Sequence, residues 1–163
     1  MASNLVVVAF DDMTSAEKLH DDLVKAKNEG LIVIDDSAVV VKDENGDVKV
    51  DNQVARGTWA GTAIGGGLGL LVGAIFFPIG GLVMGAAGGA LVAKLMDLGI
   101  DGKFVDDAKE KLQPGNSALF TLTHDANTAA VLAILRGYKG HVLQTTLDSE
   151  SEAAIKRALQ DEQ

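Results

Sequence analysis

Between Arg56 and Lys94 the chain carries 37 consecutive residues without a charge, and along them glycine recurs at every fourth position. The first stripe is Gly57, Gly61, Gly65, Gly69 and Gly73; after Pro78 the spacing resumes at Gly81, Gly85 and Gly89 and ends on Ala93. Residues four apart share one side of a helix, so each stripe removes side chains there and lets another backbone come close. Pro78 separates an arm of 21 residues (Gly57 to Phe77) from one of 18 (Ile79 to Met96, which extends past Lys94), joined by an uncharged Phe-Pro-Ile-Gly-Gly tip. At ~1.5 Å per residue the arms extend roughly 32 and 27 Å, close to the ~30 Å hydrocarbon layer of a bilayer. Glycine costs about 1 kcal/mol per helix position relative to alanine, so such arms need something packed on them.

Two partners satisfy that need. In a lipid bilayer, Arg56, Trp59 and Lys94 become interface anchors. Arg56, Lys94 and Lys103 then fall on one side of the hairpin, which by the positive-inside tendency holds both flanking segments in the cytoplasm, at a bacterial inner membrane. In a soluble cytoplasmic homo-oligomer, the same stripes pack between subunits. A strict four-residue repeat winds about 40° per step around a helix of ~3.6 residues per turn, which suits right-handed GxxxG crossings. Either way the glycines and Ala93 form the helix-packing surface, and the protein is expected to self-associate.

The flanks read as a different kind of structure. Leu5 to Phe10 is a continuous apolar run, as in a strand buried on both faces. Thr14 with Glu17 forms a capping box for a helix with Ala16, Leu19, Leu23 and Ala26 inward, ended by Gly30. Leu31 to Ile34 and Ala38 to Lys42 are extended, with Asp35-Asp36-Ser37 as an interruption, and Asn45-Gly46 turns the chain into a short strand at Val48 to Val50. Beyond the glycine run, Asp101 caps a helix with Phe104, Val105, Ala108 and Leu112 inward, closed by Pro114-Gly115. Ala118 to Thr123 is a strand, Asn127 to Arg136 a helix, His141 to Leu147 the last strand, and Ser149 with Glu152 boxes the start of a terminal helix.

The order is strand-helix-strand, insert, strand-helix-strand. Two such units predict an α+β, ferredoxin-like split βαβ sheet. The expected division is a discontinuous α/β domain at 1–53 and 99–148, a glycine-zipper hairpin at 54–98, and a C-terminal amphipathic helix at 149–163. The sheet face left open needs cover from the helix at 101–112, from the terminal helix or from a second copy.

Chemistry is sparse. A net charge of −9 argues against nucleic acid as a partner. With no cysteine there is no disulfide, zinc-thiolate site or thiol nucleophile. The amino terminus lacks a basic segment before its apolar stretch, unlike a secretion signal. His20, His124 and His141 lie in separate elements without metal-ligand spacing, so packing or solvated roles are expected. The pairs Asp11-Asp12, Asp21-Asp22, Asp35-Asp36 and Asp106-Asp107 read as helix starts and solvated faces rather than metal sites. Asp43 to Asp47 lacks the spacing of a calcium loop, and Gly65-Gly66-Gly67-Leu68-Gly69 lacks the Gly-Lys-Ser/Thr of a phosphate loop. No nucleophile, base and acid assemble, so neither an enzyme nor a cofactor is expected.

The segments Asn4 to Asp12, Ala38 to Val41 with its acidic turn, the glycine hairpin, Asp97 to Asp101 and Pro114 to Phe120 resemble a family of bacterial proteins of unknown function, often labelled predicted membrane proteins. The resemblance implies a membrane association but no activity and no catalytic residues. The first strand and helix are more weakly similar to small stress-induced ferredoxin-like proteins, which implies a stress or envelope role. The expected function is a non-enzymatic, self-associating membrane protein with an acidic cytoplasmic domain. The alternative is a soluble self-assembling or small-ligand-binding stress regulator whose hairpin is buried between subunits.

Overall fold

The structure is a computed structural model that describes residues 4–51 and 102–160. Strand β1 (Asn4–Phe10) leads to helix α1 (Ser15–Asn28), then β2 (Val33–Lys42) and β3 (Val48–Asp51). After the intervening segment come α2 (Gly102–Lys111), β4 (Asn116–His124), α3 (Thr128–Leu135), β5 (His141–Thr145) and α4 (Ser149–Ala158). The sheet order is β3-β2-β4-β1-β5, and every neighbouring pair is antiparallel. Thus β4 of the second unit lies between β1 and β2 of the first, while β1 lies between β4 and β5. That interlock of two βαβ units is the ferredoxin-like α+β arrangement, with β3 added as an edge strand.

Double burial of β1 follows from its central place. Val8 and Phe10 face the helices, Leu5, Val7 and Ala9 face the other way, and all five are buried. On the helix side, Leu19, Leu23 and Ala26 of α1, Leu135 of α3, and Ile155, Ala158 and the following Leu159 at α4 join one core with Leu119 and Val39. The terminal helix therefore sits in the same layer as α1 and α3. The opposite face, including Ala38, Val40, Ala118 and Phe120, is also shut from solvent. Helix α2 runs against β5 and buries Ala108 and Leu112.

Three local expectations are corrected. Asp35-Asp36-Ser37 does not interrupt β2: Ile34 pairs with Thr123 and Asp36 with Leu122, so Asp35 is an extra residue in a bulge. The bulge is what allows Ile34 and Val39, an odd number of residues apart, to share the helix-facing core. Only Gly46 takes a positive φ in the next turn, because Asp43 Oδ1 accepts the amides of Asn45 and Asp47 and organises a longer loop.

The third correction concerns helix starts. Thr14 makes no side-chain cap; its backbone is already in the helical region, and Asp12 Oδ1 accepts the amides of Thr14 at 2.9 Å and Ser15 at 2.6 Å. Burial would raise the Asp12 carboxyl, but the hydrogen bonds from Ser15 and Thr14 hold it below the usual range. At α4 the cap is Asp148 rather than Ser149, and its carboxyl is held low by the amide of Ser151. Asn127, read from the sequence as the first residue of the helix, instead caps α3, accepting from the Ala130 amide at 3.0 Å.

Candidate functional site

The expected helix-packing residues Gly57, Gly61, Gly65, Gly69, Gly73, Gly81, Gly85, Gly89 and Ala93, and the expected anchors Arg56, Trp59 and Lys94, lie outside the described residues. Among the described residues no helix is long and apolar enough to cross a membrane.

Each histidine has a structural setting. His20 on α1 is buried with Nε2 2.9 Å from Ser37 Oγ on β2, and its Nδ1 lies 3.8 Å from Asp21 Oδ1. Serine, histidine and aspartate thus stand in the order used by hydrolases. Ser37 is 0% exposed, however, so a substrate carbonyl has no route to its oxygen, and the pair instead ties α1 to the sheet. His124 Nδ1 lies 2.8 Å from Asp35 Oδ2; the carboxylate can only accept, so the ring donates and fixes the bulge residue. His141 Nε2 lies 3.8 Å from Asp11 Oδ2. No group of three or more possible metal ligands gathers among the described residues.

The most developed concavity lies beneath the helix layer. It is a chamber of about 140 Å³ enclosed by β1, β4, α1, α3 and α4, with Val8, Leu23, Leu119, Val131 and Ile155 among its apolar walls. Thr121 and Thr123 of β4, Thr128 of α3 and Ser151 of α4 add hydroxyls to an otherwise hydrocarbon lining. Ala126 and Thr128 are exposed and Ser151 and Ala154 half-buried, so the chamber opens where α3 and α4 begin. Its lining comes from five elements and the loops between them, without any periodic spacing, so the sequence carries no signal for it.

A wider, open cavity of about 380 Å³ lies toward the far ends of α3 and α4, lined by Arg136, Arg157 and Gln160 and sharing Leu132 and Ala154 with the chamber. Both arginines are exposed at helix C-termini, where a cation complements the helix dipole. That structural role accounts for them.

Beside the chamber, Tyr138 donates its hydroxyl to Asp22 Oδ2 at 2.5 Å and sets its ring at 58° to Phe10, centroids 6.0 Å apart. Burial, reinforced by the Asp22 hydrogen bond and the charges of Asp22 and Asp21, pushes the Tyr138 hydroxyl well above the ordinary tyrosine range. Tyr138 is therefore a neutral donor that joins the α3–β5 loop to α1.

The model of the family described as "Protein of unknown function (DUF1269)" matches residues 62–160, from within the glycine run through α4 and more than half of the chain. No curated protein and no solved structure matches the chain.

Proposed function

Because the chain belongs to a protein family of unknown function (DUF1269), which brings no activity with it, we propose a role from its own residues. It is a non-enzymatic protein that associates with the membrane and with itself through the glycine hairpin, and holds its acidic α/β domain at the cytoplasmic surface. The observation that carries this reading is the 37-residue charge-free run with its two glycine stripes, flanked by Arg56, Lys94 and Lys103.

The run is inserted between β3 and α2 of the α/β domain. Strand β3 ends at Asp51 on one side of β2, and α2, beginning at Gly102, leads into β4 on the other side of β2. The Gly115 amide donates to the Lys42 carbonyl at 2.7 Å, tying the approach to β4 to the end of β2.

Alkaline carbonate extraction of native membranes tests insertion, with the protein expected in the pellet. Recovery entirely in the soluble fraction refutes spanning and favours the hairpin buried between subunits of a soluble assembly. Replacing Gly65 and Gly69 together by leucine is expected to lower the oligomer mass by light scattering, in detergent or in buffer. An unchanged mass contradicts glycine-mediated association.

A further inference from the structure

We propose that the chamber beneath α3 and α4 is a binding site for a small uncharged apolar molecule carrying one hydroxyl or carbonyl group, about the size of phenol. The size follows from the volume of about 140 Å³, which matches the roughly 150 Å³ apolar cavity known to admit benzene in another protein. The hydrogen-bonding group follows from Thr121. That residue is only 5% exposed and lines the chamber. A hydroxyl set in hydrocarbon walls can both donate to and accept from a ligand oxygen, which an apolar ligand atom cannot match. Thr123, Thr128 and Ser151 extend the polar strip toward the mouth.

Absence of charge follows from the walls. Among the described residues no acidic or basic side chain lines the chamber, so a carboxylate or ammonium entering it would lose its hydration without a counter-charge. Asp148, the cap of α4, and Asp125, two residues before the Asn127 cap of α3, place negative charge near the entrance and further disfavour anions. An apolar pocket with a few convergent polar groups is the general form of a small-molecule site. Its natural occupant is identified here by chemistry alone: a neutral monocyclic alcohol, phenol or ketone. The inference stands apart from the membrane reading, because every described lining residue belongs to the α/β domain or to the terminal helix packed on it.

The full-length chain with phenol as the probe tests it. Titration followed by methyl NMR is expected to show saturable shifts at Val131, Leu132 and Ile155, whereas benzoate gives none. Thr121→Val keeps the shape and removes the hydroxyl; it is expected to weaken phenol about five- to tenfold, the loss of one hydrogen bond, and to leave benzene unchanged. Ala154→Leu fills the chamber and is expected to abolish binding of both, with its melting curve confirming a folded chain. Non-saturable shifts, phenol affinity unaltered by both substitutions, or equal binding of benzoate would overturn the proposal.

Discussion

Replacing Gly140 by alanine isolates one packing contact that holds the α3–β5 loop against the sheet. A Cβ built at Gly140 would lie 2.8 Å from Phe10 Cε1 and 2.9 Å from the Ala9 carbonyl oxygen. Neither neighbour moves cheaply: Phe10 is fully buried, and Ala9 pairs with β4 on one side and β5 on the other. The glycine's own backbone does not need a positive φ, so the cost is steric rather than conformational. Overpacking of this kind costs about 1–3 kcal/mol. Against it, alanine restricts the unfolded chain and returns about 0.4–1 kcal/mol. The clash wins, with a net loss near 1.5 kcal/mol, which for a chain of 163 residues lowers the melting temperature by about 3–6 °C. Retreat of the loop would relieve the clash only by breaking the 3.1 Å bond from the Gly140 amide to the Leu159 carbonyl. Gly137 is the control, because its added Cβ meets only the Ile134 carbonyl oxygen at 3.4 Å; Gly137→Ala is expected to be neutral or slightly stabilising. Thermal unfolding by circular dichroism of the two variants decides the matter. A melting temperature for Gly140→Ala equal to or above that of Gly137→Ala would refute the reasoning.

Tyr138→Phe removes the donor to Asp22 and is expected to cost roughly 1–2 kcal/mol at neutral pH, as for a half-buried hydrogen bond to a charged acceptor. The folded-state pKa of Tyr138 is raised, so its contribution is fully present below the ordinary value of 10.0 and is lost as pH climbs toward the folded value. The stability gap between wild type and Tyr138→Phe should therefore shrink above about pH 10; a gap constant to pH 11.5 contradicts this. Asp12→Ala removes the cap of α1 at a cost of about 0.5–1 kcal/mol, the lower half of the capping range because the carboxylate is exposed. Asp12 titrates below 3.8 in the folded chain, so its contribution is present above that value and fades as pH falls through the folded pKa. Urea unfolding should give a difference at pH 6 that closes at pH 2.

The split βαβ sheet is legible in the sequence because its strands and helices carry strong local patterns. The apolar run of β1 announces burial on both faces, and the spacing of Ala16, Leu19, Leu23 and Ala26 marks the inner face of α1. The start of α3 is legible only to within a residue: Asn127, read as the first helical residue, has an extended backbone and caps the helix instead. At α1 and α4 several polar residues compete, and the backbone chooses: Asp148 is extended and caps, whereas Thr14 is already helical and yields to Asp12. The polar triplet Asp35-Asp36-Ser37 suggests a break by composition, but pairing with β4 and the contact to His124 absorb it as a bulge, a tertiary effect invisible to local pattern. The chamber is hidden for the same reason. Thr121, Thr128 and Ser151 come together only when two helices and a strand pack.

The central claim concerns what surrounds the glycine arms, and a chain without cysteine allows a direct test. Single cysteines at Leu71, one arm, and Val83, the other, with Glu44 in the exposed β2–β3 turn as reference, would carry spin labels in the protein reconstituted into lipid vesicles. Collision rates with oxygen, which partitions into hydrocarbon, and with a water-soluble nickel complex report the surroundings of each label. Labels at residues 71 and 83 are expected to collide far more with oxygen than with nickel, and the label at residue 44 to show the reverse. Labels at residues 71 and 83 as open to nickel as the one at residue 44, or shielded from both reagents, would contradict the claim.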